Sequence, residues 1–420
     1  MPETVTNEDA EYALNLVRAI CTEVGPGLPG SSQERERAAM LRKELVSHLG
    51  AGNVAVEEFT LAPAAALPSV TVNAVLLLIA ALLNLSIGRL AGISTWLTSI
   101  AAVTFSIIPL VLFVFQFVLG VALLDPFLKK KQSLNLIGAL RKPGTGSVKR
   151  LLILSGHHDS AWEFTWLRLL RYGFFICTAT LFIGYIAMPA MSIVQLAGVI
   201  SGNAGAVRLG TLGWAVLAYP IAPSIIIGLF FTSGGKNGGN VPGAVDNLSA
   251  SALAVAMCRF LVRNPAFIPD DTEIRFISFG SEEAGLRGSR NYVRRHLDEL
   301  RRLDVRMLNI EMVAHPEMAI LTSDSNGTVK LSPEMVSGAV AAAERAGVPF
   351  TVKAGSIGTI TDAVPFSQSG LKATTLNPFK FPQQWVAFYH QRSDGPEMLT
   401  LEPLLNVLKL TLEWVRSGGE

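Results

Sequence analysis

The sequence predicts an α/β domain with a mostly parallel central sheet flanked by helices, interrupted by two inserted transmembrane helical hairpins. Short apolar runs that suit buried strands alternate with amphipathic segments that suit helices, as in parallel sheets covered on both faces. Long uncharged apolar runs interrupt this alternation at two places. Charged residues make up 16% of the chain, apolar residues 50%, and the mean hydropathy is +0.40. An ordinary soluble domain has about a quarter of its residues charged, so the composition also indicates a membrane protein.

Outside the apolar runs, predicted strands and helices follow one another in chain order. The strands are expected at 53–60, 133–140, 150–156, 273–280 and 305–313, and the helices at 33–49, 248–261, 289–300, 332–346 and 401–415. The run 150–156 (RLLILSG) is apolar almost throughout, which is typical of a strand buried on both faces. In a sheet of this kind the ligand site lies beyond the carboxyl ends of the strands.

Four stretches without a charged residue are each longer than the roughly 20 residues that cross the hydrocarbon of a bilayer. They cover 61–88, 90–124, 172–207 and 209–235. Strand-like segments flank each pair, so each insertion must leave and return on the same side of the membrane. Two crossings per insertion, about four spans in total, is the simplest arrangement. The surplus residues 191–200 are then expected to form an interfacial or re-entrant piece.

The insertions divide the chain into five stretches. The peptide segments expected to build the globular domain are 1–66, 127–166 and 236–420, and the two transmembrane insertions are 67–126 and 167–235. The globular domain is close to 300 residues long, a reasonable size for one large domain.

Basic residues predict the orientation of the globular domain. On its side of the spans lie Lys129, Lys130, Lys131, Arg168, Arg171 and Lys236, against Arg89 and Arg208 in the opposite loops. The positive-inside rule then favours the cytoplasm for the globular domain. Residues 1–9 lack the basic start and apolar core of a secretory signal, which agrees with this orientation. We expect an integral multi-pass membrane protein with its globular domain in the cytoplasm.

Five short segments each carry a side chain that binds divalent metals, and the first four follow a predicted strand or open a predicted helix. They are His157-His158-Asp159, Val245-Asp246-Asn247, Ser281-Glu282-Glu283, Ile310-Glu311-Met312 and Tyr389-His390-Gln391. Imidazoles together with carboxylates form the mixed nitrogen and oxygen ligand set that suits zinc. The sequence therefore predicts a metallohydrolase site at the carboxyl edge of the sheet.

Each of these residues also has a plainer interpretation when taken alone. His157 is then a hydrogen-bonded histidine at a strand end, and His158 is an alternative ligand, although the spacing to Asp159 favours His157. An Asp-Asn pair such as Asp246-Asn247 commonly caps a helix. Paired glutamates such as Glu282-Glu283 commonly lie in the first turn of a helix, where its dipole favours them.

Glu311 is harder to explain structurally, because it lies inside an apolar strand where an unpaired carboxylate is costly to bury. For Asp362, Arg287 and Asp394, structural and functional interpretations are equally good.

Taken in order, the motifs resemble those of the M28 family of zinc peptidases. The segments that carry the resemblance are His157-His158-Asp159, Gly243 to Asn247 (GAVDN), Glu282 to Ser289 (EEAGLRGS), Glu311 and Tyr389-His390. The resemblance extends over the whole globular part, including 133–138 (SLNLIG) on the strand before the first histidine.

The resemblance implies two zinc ions that share one carboxylate. Asp246 would bridge the two ions. His157 and Glu311 would complete one site, and Glu283 and His390 would complete the other.

Two further roles follow from the same resemblance. Asp159 would sit behind His157 and orient its imidazole, as metal-binding histidines usually require. Glu282 would not bind metal but would act as the general base, taking a proton from the metal-bound water and passing it to the leaving amine.

The chain departs from the family pattern at two positions. The family usually has aspartate where this chain has Glu311, and the extra methylene is expected to shift the metal or the strand. Thr361-Asp362-Ala363 resembles a motif in which histidine commonly follows the aspartate. We expect Ala363 to weaken substrate positioning without loss of metal.

The function expected is that of a membrane-embedded, zinc-dependent peptidase, with aminopeptidase as the family's commonest activity. Two alternatives stay open: a glutaminyl-cyclase-like acyltransferase, which uses one zinc ion, and a non-catalytic membrane receptor or scaffold on the same fold. The complete ligand set argues against both.

The expected partners are the lipid bilayer and peptide substrates. The short link from Asp159 to Arg168 keeps the site close to the bilayer, so the peptides are expected to be apolar or derived from the membrane. With a net charge of +2 and no basic patch, nucleic acid is not expected as a partner. A homo-oligomer stays open.

Overall fold

The computed structural model describes residues 4–87, 94–118, 121, 123–234, 239–356 and 358–420, with the backbone alone at 117–118 and 214–224. Arg89 and Lys236, which enter the orientation argument, lie outside the described residues. The chain divides into two compact units. The globular unit comprises 1–63, 129–163 and 234–420, and the helical unit comprises 64–128 and 164–233.

Helices and strands are numbered here in chain order. The helices are α1 (Asn7–Glu23), α2 (Ser32–Leu49), α3 (Ser69–Leu85), α4 (Thr95–Phe113), α5 (Thr165–Leu170), α6 (Gly173–Ser201), α7 (Ala204–Leu229), α8 (Ser249–Arg263), α9 (Arg287–Leu300), α10 (Pro333–Ala346), α11 (Ala363–Gln368), α12 (Gln383–Phe388) and α13 (Leu401–Arg416). The strands are β1 (Val54–Leu61), β2 (Lys131–Arg141), β3 (Arg150–His157), β4 (Glu163–Phe164), β5 (Thr232–Ser233), β6 (Thr272–Phe279), β7 (Asp304–Ile310), β8 (Met318–Leu321), β9 (Ser323–Asp324), β10 (Val329–Lys330), β11 (Phe350–Lys353) and β12 (Lys372–Leu376).

An eight-stranded sheet in the order β1-β2-β6-β3-β7-β12-β8-β11 forms the centre of the globular unit. The strands β6, β3, β7 and β12 are parallel, and β11 is parallel to β8. Antiparallel pairs join β1 to β2, β2 to β6 and β12 to β8. The prediction of a mostly parallel sheet therefore describes the centre correctly, but the sheet as a whole is mixed.

The antiparallel pair β1 and β2 flanks the first insertion. Leu61, the last residue of β1, is paired with Lys131, the first residue of β2. The chain therefore leaves the sheet and returns to it at paired positions of neighbouring strands. Such a pair needs no crossover helix, which explains why this edge is antiparallel.

Apolar side chains form a core layer on each face of the sheet. In β3, Leu152 and Leu154 belong to one layer, and Leu151 and Ile153 belong to the other, because successive side chains of a strand point to opposite faces. The helices α1, α8, α10 and α13 contribute to the first layer, and α9 and α11 contribute to the second. The central strands are thus covered on both faces, as their continuous apolar sequences predict.

Two predicted boundaries are wrong. The strand expected at 305–313 ends at Ile310, since Met312 adopts a left-handed backbone conformation with φ of 51°. The residues 191–200 are not a separate interfacial piece, because α6 continues through Pro189 to Ser201 as one helix. A proline removes one backbone hydrogen bond, and apolar helices tolerate it where neighbouring helices pack closely.

The helical unit consists of apolar helices around a small core of its own. Buried residues of that core include Leu77, Leu181, Tyr185 and Met188. Large apolar side chains also face outward; Ile186, for example, is 70% exposed.

Within the part of the chain that the structure describes, three helices are long and apolar enough to cross a membrane. They are Thr95–Gln116, Gly173–Ser201 and Ala244–Arg263. The last is 89% buried inside the protein, against 28% and 33% for the other two, so it is a core helix of the globular unit. The shorter apolar helix Ser69–Leu85 belongs to the helical unit.

The side chain of His296 on α9 links that helix to the edge strand β1. Its Nε2 lies 2.7 Å from Glu57 Oε1 and its Nδ1 lies 3.0 Å from Glu299 Oε2. The hydrogen bond to Glu57 raises the pKa of His296 despite partial burial. A histidine whose pKa is raised on folding contributes its stability fully below the unfolded value of about 6.5, and this contribution is lost as the pH rises through the folded value.

We therefore expect His296→Gln to lower the free energy of unfolding by up to about 1 kcal/mol at pH 5.5 and by less at pH 8.5. Denaturant unfolding at both pH values measures this difference, with His315→Gln as the control. A deficit that grows with pH would contradict the expectation.

Candidate metal centre

His157 is the last residue of β3, where the buried strand delivers its side chain to the carboxyl edge of the sheet. Its backbone carbonyl accepts a hydrogen bond from Ser251 Oγ of α8 at 2.9 Å. Its ring Nδ1 lies 3.3 Å from Asp159 Oδ1. The ring is completely buried. Ser251 therefore holds the backbone of His157, and Asp159 orients its ring.

Asp159 also contacts the loop that carries the two glutamates. Its Oδ1 and Oδ2 accept hydrogen bonds from the backbone N–H groups of Glu282 and Glu283, both at 3.0 Å. One buried carboxylate thus lies against the imidazole of His157 and holds the backbone of the glutamate loop. The sequence predicted the first of these contacts but not the second.

Asp246 lies in the turn that precedes α8 and points its two carboxylate oxygens at two different imidazoles. Its Oδ1 is 3.3 Å from His157 Nε2, and its Oδ2 is 3.4 Å from His390 Nε2. The turn begins at Gly243, whose φ of 67° favours glycine. The carboxylate is therefore placed to serve two neighbouring groups of ligands.

The remaining predicted ligands come from the ends of β6 and β7 and from the loop after α12. Glu311 Oε1 lies 3.4 Å from His157 Nε2, and Glu283 Oε1 lies 3.2 Å from His390 Nε2. Glu311 Oε2 accepts a hydrogen bond from Asn309 Nδ2 at 3.3 Å. The longer side chain of Glu311 therefore reaches the same histidine that the sequence paired it with.

The structure brings all predicted site residues together. In each of three sets, one ligand atom per residue lies within 4.8 Å of the others, and every member is buried: His157, Asp246 and Glu311; Asp246, Glu283 and His390; His157, Glu282 and Glu283. The first two sets coincide with the two sites that the motifs predicted, and the third brings Glu282 beside them.

His158, the alternative ligand, faces a different environment. Its Nδ1 lies 2.9 Å from Ser278 Oγ of β6, and it is in none of the three sets found among the described residues. Burial lowers the pKa of His158 to about 4, so the ring is neutral at pH 7. The geometry favours His157 over His158 as a metal ligand.

Two of the converging atoms have no hydrogen bond in the part of the chain that the structure describes. These atoms are His157 Nε2 and Glu283 Oε1. Buried polar atoms are normally hydrogen-bonded, so such a group of atoms needs another partner. A divalent cation fits them, and the nitrogen and oxygen donors suit zinc.

The electrostatics of the cluster agree with this assignment. Burial raises the pKa of Glu311 to about 8 and raises the pKa of Glu282 well above its usual value. Burial alone would lower the pKa of His390, but the charges of Glu283 and Asp246 raise it to about 9. Without a metal ion the cluster therefore holds protons that a cation would displace.

Three residues that the sequence left open have defined surroundings. The carboxylate of Asp394 accepts hydrogen bonds from the N–H groups of Val245 and Asp246, at 2.8 and 3.2 Å, and so supports the turn that carries Asp246. In the sequence, the only indication of this role is that Asp394 lies four residues after the predicted ligand His390. Arg287 donates from Nε to the carbonyl of Ala284 at 2.8 Å.

Asp362 is buried, and burial raises its pKa to about 7. The Asp362 carboxylate interacts electrostatically with His157, so Asp362 lies close enough to influence the cluster. Ala363, the position where the motif commonly has histidine, is completely buried at the start of α11.

Comparison with known proteins agrees with the motifs. Residues 231–415 match peptidase family M28, which confirms the family resemblance. The chain is 33% identical over 171 residues to aminopeptidase YwaD of Bacillus subtilis (strain 168), a stretch that covers 39% of this chain and 35% of that protein. The matched part thus spans about a third of the length of this relative.

Solved structures extend the similarity of the fold to nearly the whole chain. A zinc aminopeptidase from Bacillus subtilis superimposes with a TM-score of 0.53 at 16% identity, covering 97% of this chain and 94% of that one. An aminopeptidase from Aneurinibacillus sp. strain AM-1 gives a TM-score of 0.53 at 14% identity, covering 97% and 95%. A glutaminyl cyclase from an Acidobacteriales bacterium gives a TM-score of 0.53 at 13% identity, covering 100% and 96%.

The central position of Asp246 gives a direct test of metal binding. We expect Asp246→Asn to weaken zinc binding by more than about tenfold, because the amide supplies no negative charge to either group of ligands. Zinc retained after dialysis against a chelator-buffered zinc solution, determined by mass spectrometry, measures the effect. Asp270→Asn, at an exposed position paired with Lys142, is the control. Equal zinc retention by Asp246→Asn and the parent would exclude Asp246 as a ligand.

Proposed function

We propose that the protein is a membrane-embedded, zinc-dependent aminopeptidase, and the match of residues 231–415 to peptidase family M28 supports the proposal. The observation that carries the proposal is the convergence of buried metal-binding side chains from five separate segments of the chain. They are His157, Asp246, Glu283, Glu311 and His390.

Two zinc ions are proposed, because Asp246 directs one oxygen toward His157 and the other toward His390. His157 and Glu311 would hold one ion with Asp246, and Glu283 and His390 would hold the other. Bound zinc would lower the pKa of a water molecule and would polarise the carbonyl of the peptide bond. A carboxylate must then move protons between the attacking water and the leaving amine.

Glu282 is the proposed general base. Its Oε2 lies 3.7 Å from His157 Nε2, beside the ligands, and burial raises its pKa. The carboxylate accepts the proton as the water oxygen bonds to the carbonyl carbon, and donates it to the amine nitrogen as the C–N bond breaks. The hydrogen bond from the Glu282 N–H to Asp159 fixes the base relative to the ligands.

The proposed substrates are peptides with an apolar amino-terminal residue. Aromatic rings lead from the surface to the metal cluster: Phe381 packs on Trp385 at 5.1 Å, Trp385 on Tyr389 at 4.7 Å, and Tyr389 on His390 at 4.0 Å between ring centroids. Phe381 is 41% exposed. Aromatic surfaces of this kind favour apolar side chains.

A glutaminyl-cyclase-like activity is the second candidate, supported by the similarity of the fold to two solved glutaminyl cyclases. The presence of a ligand set for two ions favours the peptidase over a one-zinc acyltransferase. The same complete set favours an enzyme over a receptor or scaffold, which would be free to lose ligands.

The helical unit is proposed to span the bilayer with α3, α4, α6 and α7. Polar side chains lie inside this unit: Asn84 Nδ2 donates to Ser192 Oγ at 2.9 Å, and Gln195 Nε2 donates to Thr211 Oγ1 at 2.8 Å. Apolar side chains such as Ile176, 69% exposed, lie outside. This distribution is the reverse of that in water-soluble bundles and is typical of helices packed in lipid. The basic flanks favour a cytoplasmic globular unit.

The proposed activity is tested with a pool of peptides of differing amino-terminal residues, incubated with detergent-purified protein and zinc. We expect stepwise loss of single amino-terminal residues, faster for apolar than for polar ones. Glu282→Gln should lower kcat by about 10²–10⁴-fold, because the amide cannot accept the proton. Glu58→Gln, at an exposed position on β1, is the control.

Mass spectrometry of the products separates the candidates. Loss of ammonia from amino-terminal glutamine, without loss of residues, would favour the cyclase. Internal cleavage would contradict the exopeptidase, and an unchanged pool in the presence of bound zinc would favour the receptor.

Membrane embedding is tested by fractionation of cells that express the full chain. We expect the protein to stay in the membrane pellet after an alkaline carbonate wash and to be released by detergent. A cysteine introduced at exposed Asp298, in a variant without Cys21, Cys177 and Cys258, should react with an impermeant maleimide only after the cells are opened. Recovery in the soluble fraction would refute the spans, and labelling of intact cells would refute the cytoplasmic orientation.

A further inference from the structure

The first two turns of α2 carry two buried side chains of opposite charge. Glu34 is 1% exposed and Arg37 is 0% exposed. Glutamate and arginine are almost never fully buried unless they are paired. The helix lies outside 231–415, the segment that matches the peptidase family. Its buried charges therefore need an explanation from the contacts that they make.

Arg37 donates to three backbone carbonyls in three different segments of the chain. Its Nε donates to Gly25 O at 2.8 Å, its Nη1 to His158 O at 3.1 Å, and its Nη2 to Pro242 O. His158 directly follows the ligand His157, and Pro242 lies four residues before the ligand Asp246. One planar guanidinium thus ties two ligand-bearing segments to each other and to the loop before α2.

Gly27 leaves the space that the Arg37 side chain occupies. A Cβ at Gly27 would lie 2.7 Å from Arg37 Cδ and 2.9 Å from its Nε. Gly27 also binds the segment after His157: its N–H donates to Ser160 Oγ, and its carbonyl accepts from Ser160 N–H, both at 2.9 Å. The loop before α2 is therefore packed directly against the first ligand segment.

Glu34, one turn earlier on α2, contacts the third ligand-bearing segment. Its Oε1 accepts hydrogen bonds from Ser281 Oγ at 2.7 Å and Ser133 Oγ at 2.9 Å, and its Oε2 accepts from Gly30 N–H at 2.6 Å. Ser281 directly precedes Glu282 and adopts a φ of 53°, in the left-handed region. Glu34 thus holds the strained residue at the start of the glutamate loop.

The turn that carries Asp246 is held from both of its ends. Arg37 binds the carbonyl of Pro242 at its start, and Asp394 accepts the N–H groups of Val245 and Asp246 at its end. The positive charge of Arg37 also acts on the buried carboxylates Asp159 and Asp394. Two side chains of opposite charge therefore fix the backbone of this turn, Arg37 at a carbonyl and Asp394 at two N–H groups.

We propose that Arg37, assisted by Glu34, is a positioning residue that sets the spacing of the metal-binding segments and thereby the zinc affinity of the site. The inference deepens the proposed function and rests on it. Ligand carboxylates repel one another when no ion is bound, so the backbone must hold them at the spacing that the ions require. Groups that orient metal ligands typically change metal affinity by about 10–100-fold when they are removed.

Arg37→Lys tests the proposal in the full-length protein, with Arg35→Lys, an exposed arginine on the same helix, as the matched control. A lysine keeps the charge but cannot make three hydrogen bonds in the plane of a guanidinium. We expect zinc affinity to fall about 10–100-fold, with a changed visible absorption spectrum of the cobalt-substituted protein. Arg35→Lys should leave both unchanged. Circular dichroism and thermal unfolding of the metal-free proteins establish that the variants fold.

Gly27→Ala is the second variant, because its methyl group displaces Arg37 without altering any charge. Its backbone φ lies outside the left-handed region that favours glycine, so the backbone conformation admits alanine. The new Cβ would lie 2.7 Å from Arg37 Cδ and 3.0 Å from the backbone nitrogen of Glu34, so it presses on the two residues that the proposal names. We expect the same loss of zinc affinity and the same change of the cobalt spectrum. Agreement of the two variants would attribute the effect to the position of the guanidinium.

A purely structural role for Arg37 would lower the unfolding temperature and leave the zinc affinity and the cobalt spectrum of the folded variants at parental values. That result would overturn the proposal. A parent that binds zinc but removes no residue from peptides would refute the aminopeptidase, while the comparison of zinc affinities would still decide the role of Arg37. A parent that binds no zinc would overturn both.

Discussion

The mutual repulsion of buried carboxylates is the constraint on which the globular unit depends. Asp246 offers oxygens close to the imidazoles of both His157 and His390, Glu311 lies close to the first and Glu283 to the second, and all three carboxylates are buried. Neighbouring like charges in a buried site raise each other's pKa and push the side chains apart. A rigid surrounding structure is needed to keep these carboxylates close together. The binding of a cation would offset their mutual repulsion.

The rigidity comes from several strand ends and from buried charged groups behind them. The parallel strands β3, β6 and β7 end at one edge of the sheet and deliver His157, the glutamate loop and Glu311 to it. Asp159 then links His157 to the glutamate loop, and Asp394 supports the turn that carries Asp246. These groups bind backbone N–H atoms, so they set where a segment lies and not only where one side chain points.

The two units of the chain follow opposite rules of burial. The globular unit buries apolar side chains on both faces of its sheet and gathers many of its buried charged groups at the metal cluster and its supports. The helical unit exposes large apolar residues and turns Asn84, Ser192 and Gln195 inward. The apolar exterior of the helical unit is the distribution that its proposed place in a bilayer requires, and the interior of the globular unit is the one expected of a domain in water.

The sequence by itself determined the alternation of strands and helices, the uncharged apolar runs and the candidate ligands, because periodicity, charge and motif spacing are local properties of a chain. It did not determine the antiparallel edges of the sheet or the end of β7 at Ile310, which depend on pairing and on one left-handed residue. Nor did it reveal Glu34 and Arg37, which it placed only on a helix. Their partners are mostly backbone carbonyls and hydroxyls up to about 250 residues away in sequence, such as Pro242 and Ser281. Because every residue has a backbone carbonyl, a hydrogen bond to one leaves no trace in the sequence, and only the tertiary structure decided where these charges act.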